Sequence, residues 1–317
     1  MLPAASRTAA RVGLVLARTL ATIAVVAAAV FLLTEALPGD ATSGLVDRGT
    51  SPAAVAAARA ELGLEQSAPA RLWQRLEGLA HGDLGHTARG RPVGDVLARP
   101  LRRTLTLAGI ALLAAILVAV PLGAAMAWRG GRASEKLLGA ASVALISVPE
   151  FVVFTLLALL FSSALGLLPA VVVTGSDGEI DATALVLPAL ALALPAIAWT
   201  ARLVRGAVAD ALELPHVQAA RLDGLPPAQI LLRHAVPPAL PAIAASIAAS
   251  CAALAGGSVV VEAAVNYPGV GSVLTQAIQA RDVELVSSVV VMMAAIVALA
   301  FAVADLVRDL RPRVAWA

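Results

Sequence analysis

Few side chains in this sequence could carry out chemistry, and they lie far apart. His81, Asp83 and His86 share a polar segment, and imidazole with a carboxylate is a donor set that binds zinc or nickel. Histidines in loops are usually solvated, so we expect no metal site here. Cys251 is the only cysteine and lies in an apolar run, where it forms neither an intrachain disulfide bond nor a thiolate metal site.

The motifs of ATP-hydrolysing and intramembrane hydrolytic enzymes are also missing. The sequence contains no G-x-x-x-x-G-K-[ST] loop, whose backbone amides and lysine hold nucleotide phosphates. A hydrolase within a membrane would need a serine–histidine or paired-aspartate constellation, and no long apolar segment contains a histidine. We therefore expect a chain that is not an enzyme and that binds no cofactor of its own.

The composition indicates an integral membrane protein. Of the 317 residues, 60% are hydrophobic and 14% are charged, whereas soluble domains contain roughly 25% charged residues. A water-soluble fold of this size could not bury so much apolar surface.

Six apolar segments approach or exceed the roughly 20 residues that a helix needs to cross the hydrocarbon core. They are 18–37, 104–128, 137–168, 182–201, 235–261 and 285–304. The first has basic flanks like a signal peptide, but no small-x-small cleavage site follows it, so we expect a retained span. The sequence predicts an all-α polytopic membrane protein with six transmembrane helices.

Arginine and lysine residues in the short loops predict the orientation. With the N-terminus in the cytoplasm, thirteen of them lie on the inner side, whereas the two short outer loops hold only Arg281. Both termini are therefore predicted to be cytoplasmic. The long segment 38–103 is then extracytoplasmic, with helices expected over about 51–63 and 69–80 and a stretch at 90–104 that leads along the membrane surface.

Two carboxylates lie in apolar surroundings, where a charge is costly and often functional. Glu150 follows Pro149 in the middle of the third segment, where proline permits a kink. It either lines a polar pathway or pairs or snorkels as a structural group, and the sequence favours neither. Glu262 is interpreted as a structural residue of an outer turn rather than a contact for a transported molecule. The residues of that turn are Pro268, Gly269 and Gly271.

Between the fourth and fifth segments the chain is polar, basic and rich in proline. Pro215 should end or kink the preceding helix, 216–223 has the length of about two helical turns, and Gly224 suits a left-handed terminal position. The proline pair at 226–227 fits the first turn of a second short helix, which the pair at 237–238 should stop. Two short helices joined by a bend are predicted on the inner face.

The bent segment has little side-chain bulk on its surface. Ala219, Ala220 and Gly224 would let the backbone of another protein come close, and 230–232 adds an apolar strip. One interpretation is contact with a cytoplasmic partner that grips a short helix in a groove. The other is a helix that lies on lipid, and the residues alone favour neither.

The segment 218–240, QAARLDGLPPAQILLRHAVPPAL, resembles the EAA-type cytoplasmic loop of binding-protein-dependent ABC transporter permeases. Gln218 stands where the pattern has glutamate and His234 where it has an apolar residue, and both departures resemble the dipeptide, oligopeptide and nickel branch. The resemblance implies that the loop at 206–238 couples the spans to a partner ATPase. Its coupling residues are then Gln218, Ala219, Ala220, Arg221, Asp223, Gly224, Leu225, Leu231, Arg233, His234 and Pro237.

Further blocks of sequence resemble the same branch in the same order. They are ALPGD at 36–40, GDLG at 82–85, VVVEAAVNYPGVGSVL at 259–274, ARD at 280–282 and DLVRDLRPRV at 305–314. The large first outer segment resembles the first of the two permease subunits in such systems. The resemblance implies a type I ABC importer permease fold, a second permease, two cytoplasmic ATPase subunits or domains that bind ATP and magnesium, and an extracytoplasmic solute-binding protein.

The resemblance also implies an organisation and a cargo. Residues 1–37 form the cytoplasmic N-terminus and first span, 38–103 the extracytoplasmic segment, 104–310 the core permease domain and 311–317 a cytoplasmic tail. The location is the bacterial cell membrane, and the cargo is a di- or oligopeptide, with nickel or a metal chelate as the alternative. A secondary carrier driven by an ion gradient is the rival class; it would need midplane coupling carboxylates, for which Glu150 is the only candidate.

Overall fold

The computed structural model of the chain describes residues 4–36, 51–53, 66–88, 90–175 and 179–309, with side chains from residue 10 onward. The regular structure within these residues is helical; the only β-type pairing among them is two isolated bridges, His86–Pro92 and Thr174–Ile180. The helices are α1 Ala4–Glu35, α2 Ala68–Ala80, α3 Val93–Trp128, α4 Ala133–Ile146, α5 Glu150–Ala158, α6 Val186–Leu212, α7 Pro215–Leu222, α8 Pro227–Gln229, α9 Val236–Ala264, α10 Val270–Gln279 and α11 Val283–Asp309.

Length and hydropathy single out the membrane-spanning helices. Five helical stretches of the described chain are long and apolar enough to cross a membrane, and α4 with the helix that follows it forms a sixth, bent span. The straight candidates are Ala10–Glu35, Val93–Trp128, Ala182–Leu212, Pro227–Ala264 and Val283–Asp309. The six spans predicted from the sequence are therefore present when the bent pair counts as one.

The third span is broken in its middle by proline. The helices Ala133–Ile146 and Glu150–Ala164 meet at 99°, and Pro149 is the N-cap of the second. Fourteen or fifteen residues make a helix of only about 21–23 Å, which is shorter than the hydrocarbon core of roughly 30 Å. Each arm therefore covers only part of the membrane, and the bend brings Glu150 to the turn between them.

The two prolines at 237–238 do not stop a helix, which corrects the sequence prediction. α8 continues through a π-helical turn, Ile230–Ala235, directly into α9. Pro237 and Pro238 follow the π-helical turn directly, so the change in hydrogen-bond register falls where proline has no amide proton to donate. The loop and the fifth span therefore form one continuous helical stretch from Pro227 to Ala264.

The chain divides into two compact units. Unit 1 consists of Met1–Leu16, Leu105–Tyr267 and Leu299–Ala317, and unit 2 consists of Ala17–Thr104 and Pro268–Ala298. Unit 1 is organised around α6, whose buried side chains contribute to both of its hydrophobic clusters.

Close helix packing in unit 1 depends on Gly123 of α3. A Cβ atom at this position would lie 2.5 Å from the carbonyl oxygen of Ala201 and 2.8 Å from the Cβ of Val204, both in α6. Small residues let helix backbones approach each other in membranes. Among the described glycines of unit 1, Gly123 is the one whose added Cβ would lie nearest to a backbone atom of a neighbouring helix.

Within unit 2, Arg75 links α2 to α11 and to the GDLG block. Its guanidinium group forms an ion pair with Glu284 at 3.1 Å and donates hydrogen bonds to the Ser288 hydroxyl at 2.6 Å and the Leu84 carbonyl at 3.2 Å. Asp282 adds a second link, since its carboxylate accepts hydrogen bonds from the amides of Leu285 and Ala88. These contacts give structural roles to Leu84 of the GDLG block and to Asp282 of the ARD block.

The GDLG block needs both of its glycines. Gly82 and Gly85 have φ of 79° and 80°, in the left-handed region that L-residues rarely adopt. The Asp83 carboxylate accepts the Gly85 amide at 2.8 Å and so fixes the turn between them. A Cβ at Gly85 would lie 2.5 Å from an Arg75 nitrogen, whereas a Cβ at Gly82 would meet nothing within 4 Å among the described residues.

We predict that Gly85→Ala destabilises the protein more than Gly82→Ala. Each substitution introduces left-handed strain of about 1–2 kcal/mol, but only the methyl group added by Gly85→Ala also displaces the Arg75 guanidinium from Glu284 and Ser288. Because the Arg75 side chain is flexible and its partner Glu284 is 38% exposed, the added loss should be about 0.5–1.5 kcal/mol, the range of an ordinary hydrogen bond. Thermal unfolding of the purified protein in detergent measures the difference, and equal unfolding temperatures for the two variants would contradict it.

The segment 38–103, which the sequence predicts to be extracytoplasmic, has the predicted helices in part. The helix expected over 69–80 is α2, which is confirmed. The stretch at 90–104, predicted as a separate lead into the second span, forms from Val93 onward the first turns of the same continuous helix, α3. The helix expected over 51–63 lies largely outside the described residues, as does most of the ALPGD block.

Candidate coupling site and polar cavity

The first half of the bent segment between α6 and α9 has the predicted geometry. α6 ends at Leu212, Pro215 is the first residue of α7, and α7 ends at Leu222. Gly224 then turns the chain with φ of 74°. Pro226 caps α8, so the prolines act at helix starts, where their fixed φ fits.

Gln218 has a structural contact that a glutamate could not make. Its side-chain amide donates a hydrogen bond of 2.8 Å to the Leu212 carbonyl oxygen at the end of α6. The last four carbonyls of a helix lack partners within the helix, so this bond satisfies one of them. An ionised carboxylate has no proton to donate, which gives a physical reason for glutamine at this position.

The two alanines of the loop face opposite ways. Ala220 is buried in the hydrophobic cluster with Val217 and Ile230, whereas Ala219 is exposed. The predicted apolar strip at 230–232 is divided in the same way, because Ile230 packs inward and Leu232 is 66% exposed. Leu222, which sequence reasoning did not single out, is 89% exposed. Among the described residues, the exposed large apolar side chains of the loop are therefore Leu222 and Leu232.

Contacts inside unit 1 hold the loop against the neighbouring helices. The Arg221 guanidinium carbon lies 5.1 Å from the centre of the Trp128 ring at the end of α3, which is a cation–π geometry. The His216 ring nitrogen Nε2 lies 3.3 Å from the His234 carbonyl oxygen and links α7 to the π-helical turn. The loop is therefore attached to the spans at several points.

The other predicted loop residues divide between surface and interior. Asp223 and Arg233 are exposed, and Gly224 lies at the surface with open space around it among the described residues. Leu225 and Leu231 are half-buried and pack against the cluster beneath the loop.

Glu150 lines a cavity at the bend of the third span. The cavity has a volume of about 240 Å³ and lies between the bend, α6 and α9. Its polar lining residues are Glu150, Ser147 and Ser250, and Trp199 also lines it. Within the described part of the chain, no hydrogen bond or ion pair to the Glu150 carboxylate is found.

A buried hydroxyl pair joins α6 and α9 beside this cavity. The Thr200 and Ser250 oxygens are 2.6 Å apart, and both residues are almost fully buried. The Ser250 hydroxyl also donates a hydrogen bond to the Ser246 carbonyl oxygen in its own helix. The pair fixes the two helices that form one wall of the cavity.

The residues predicted to form an outer turn lie in two different units. Glu262 is fully buried near the end of α9 in unit 1, and its carbonyl oxygen accepts the Tyr267 amide at 2.8 Å. Asn266 has φ of 57° and reverses the chain before Tyr267. In unit 2, Gly269 caps α10. Pro268 precedes this cap, and Gly271 is buried in the first turn of the helix.

Sequence reasoning missed an ion pair between α4 and α6. Arg205 contacts Glu135 at 2.9 Å, and both line a cavity of about 250 Å³ with Arg202. The two partners are far apart in the sequence, so no local pattern predicts their contact. The described residues contain no group of three or more histidine, cysteine, aspartate or glutamate side chains placed to hold a metal ion.

Comparison with known proteins identifies the family. Residues 119–314, more than half of the chain, match the family described as "Binding-protein-dependent transport system inner membrane component". The chain belongs to this family. The resemblance noted in the sequence is thereby confirmed, and the permease is a multi-pass protein of the bacterial inner membrane.

The permease is similar to curated relatives over most of its length. It is 30% identical over 305 residues to a probable peptide ABC transporter permease of Sinorhizobium fredii, which covers 95% of this chain and 97% of that protein. It is also 30% identical over 273 residues to the glutathione transport system permease protein GsiC of Pectobacterium atrosepticum, with 86% and 87% covered. These relatives are transport permeases rather than enzymes.

The fold of the permease is similar to that of a solved transporter. An inward-facing structure of the MetNI methionine ABC transporter superposes with a TM-score of 0.56 at 20% sequence identity, and covers 68% of this chain and 96% of that chain. At this identity the likeness concerns the fold alone. The type I ABC importer permease fold predicted from the sequence is confirmed.

Proposed function

We propose that this permease is one transmembrane subunit of an ATP-driven importer that receives di- or oligopeptides from an extracytoplasmic solute-binding protein. A second, related permease completes the translocation pathway, and two cytoplasmic ATPase subunits or domains bind the ATP and magnesium. Both termini and the loop at 206–238 then face the cytoplasm. Peptide is preferred over nickel or a metal chelate because the curated relatives named above carry peptide and glutathione in their names.

The exposed loop is the observation that carries this proposal. It exposes Leu222 and Leu232, and Gly224 turns the chain between them with φ of 74°. A groove on a partner protein can bind such a short helix by its apolar anchors. The loop continues without interruption into α9, so a displacement of the loop is transmitted directly to the fifth span. ATP binding by the partners would then shift the spans between two conformations.

Uptake measurements test the proposal against the secondary-carrier alternative. The importer, with its second permease, ATPases and solute-binding protein, is reconstituted in vesicles, and uptake of a labelled dipeptide is followed. We expect uptake that requires ATP and continues after a protonophore and a sodium ionophore collapse the ion gradients. Uptake that stops with the gradients while ATP remains would contradict the proposal.

A further inference from the structure

We propose that the cavity at the bend of the third span binds a primary ammonium group of the transported molecule, through the Glu150 carboxylate and the Trp199 ring. This inference rests on the proposed import function, because it names the part of the cargo that the permease itself recognises. It develops the first of the two roles that the sequence left open for Glu150, the lining of a pathway, into a binding role.

The charge in the cavity is the first argument. Among the described residues, Glu150 is the only charged one that lines it, and most of the lining is apolar. A carboxylate in apolar surroundings is costly unless a partner offsets its charge. No such partner is found in the part of the chain that the structure describes. A cation that enters the cavity would supply the missing partner.

The aromatic ring in the same cavity is the second argument. Trp199 of α6 lines the wall, and 45% of the residue is exposed in the isolated chain. Indole attracts cations to its face when they lie within about 6 Å of the ring centre. A carboxylate together with an indole ring is complementary to an alkylammonium group, which carries a positive charge and short apolar carbons. An anion would be repelled by the same lining.

The size of the cavity limits what it holds. Pockets that enclose a whole small ligand have volumes of roughly 300–1,000 Å³, whereas this one has about 240 Å³. The cavity therefore takes one end of a larger molecule. In a peptide, that end is either the α-amino group or a lysine side chain, and both have the same ammonium chemistry.

Gly257 of α9 makes room for the carboxylate, which is the third argument. A Cβ at this position would lie 3.2 Å from the Glu150 Oε1 atom, closer than ordinary van der Waals contact. The adjacent Gly256 has nothing within 4 Å of an added Cβ among the described residues. Two neighbouring glycines in one helix therefore differ in whether a larger side chain would disturb Glu150, which provides a matched pair of variants.

A binding experiment tests the cavity without transport. The assembled importer in lipid nanodiscs is titrated with n-butylammonium, and with n-butanol as the neutral control. Binding of each compound is measured by saturation-transfer NMR. The partner proteins contribute the same background to every variant. We expect n-butylammonium to bind the wild-type complex at least about tenfold more tightly than the Glu150→Gln complex, and n-butanol to show no difference between them. Gly257→Val should weaken n-butylammonium binding, and Gly256→Val should not.

A transport experiment then identifies which ammonium group is held. Uptake of Ala-Ala, N-acetyl-Ala-Ala and N-acetyl-Ala-Lys is compared in wild-type and Glu150→Gln vesicles. Recognition of the α-amino group predicts a loss for Ala-Ala only, whereas recognition of lysine predicts a loss for N-acetyl-Ala-Lys. If the wild-type importer transports none of these peptides, the proposed cargo class is wrong. The binding experiment still tests whether the cavity binds an ammonium group. Equal binding of n-butylammonium by the wild-type and Glu150→Gln complexes overturns the inference, even when peptide uptake is normal.

Discussion

Gly224→Trp should uncouple transport from ATP hydrolysis and leave the fold intact. An added Cβ at Gly224 meets nothing within 4 Å among the described residues, so the indole projects outward from the loop. It then adds bulk to the loop surface that the proposed ATPase groove would contact. We expect uptake to fall by about 5- to 150-fold, the range that a coupling free energy of about 1–3 kcal/mol spans. ATP-driven uptake of labelled dipeptide in vesicles measures it.

Two controls separate steric bulk from backbone strain in this experiment. Gly224→Ala introduces the same left-handed strain, since φ at this position is 74°, but adds little bulk, so most uptake should remain. Gly131 has φ of 80° and equally open surroundings among the described residues, and it lies outside the loop. Gly131→Trp should therefore preserve uptake. Normal uptake by Gly224→Trp would argue strongly against a coupling role for the loop.

Gly123→Ala should destabilise the packing of α3 against α6. The new methyl group would lie 2.5 Å from the Ala201 carbonyl oxygen and 2.8 Å from the Val204 Cβ. These atoms belong to the backbone or are attached directly to it, so no side-chain rotation relieves the contact and the helices themselves must separate. Overpacking of this kind costs about 1–3 kcal/mol, or more where the backbone must move. Alanine gains about 1 kcal/mol of helix propensity over glycine, which offsets part of that loss.

Gly109→Ala is the matched control for this prediction. Gly109 lies in the same helix, and an added Cβ there has nothing within 4 Å among the described residues. This variant gains the helix propensity without the clash, so it should unfold at the wild-type temperature or slightly above it. Thermal unfolding of the purified protein in detergent compares the two variants. A Gly123→Ala protein as stable as Gly109→Ala would mean that α3 and α6 separate at little cost.

The sequence determined those features that local backbone chemistry controls. The spans are predictable because each apolar segment must reach roughly 20 residues to cross the hydrocarbon core, whatever the other segments do. Pro215 and Gly224 indicate the bend of the loop, because proline and glycine restrict or release φ at their own positions. The family resemblance depends on short blocks of the same kind, and the matched range of residues 119–314 confirms it.

Only the tertiary structure decided which side chains meet. Glu150 and Trp199 come from helices separated by tens of residues, and no local pattern indicates that they line one cavity or that Gly257 lies against the Glu150 side chain. Ala219 and Ala220 look equivalent in the sequence, but the hydrophobic cluster beneath the loop buries only the second. The pair Pro237-Pro238 resembles a helix stop, yet the π-helical turn before it lets the helix continue. Proline and glycine act through their own bonds, whereas burial, contact and cavity shape depend on neighbours that folding brings together.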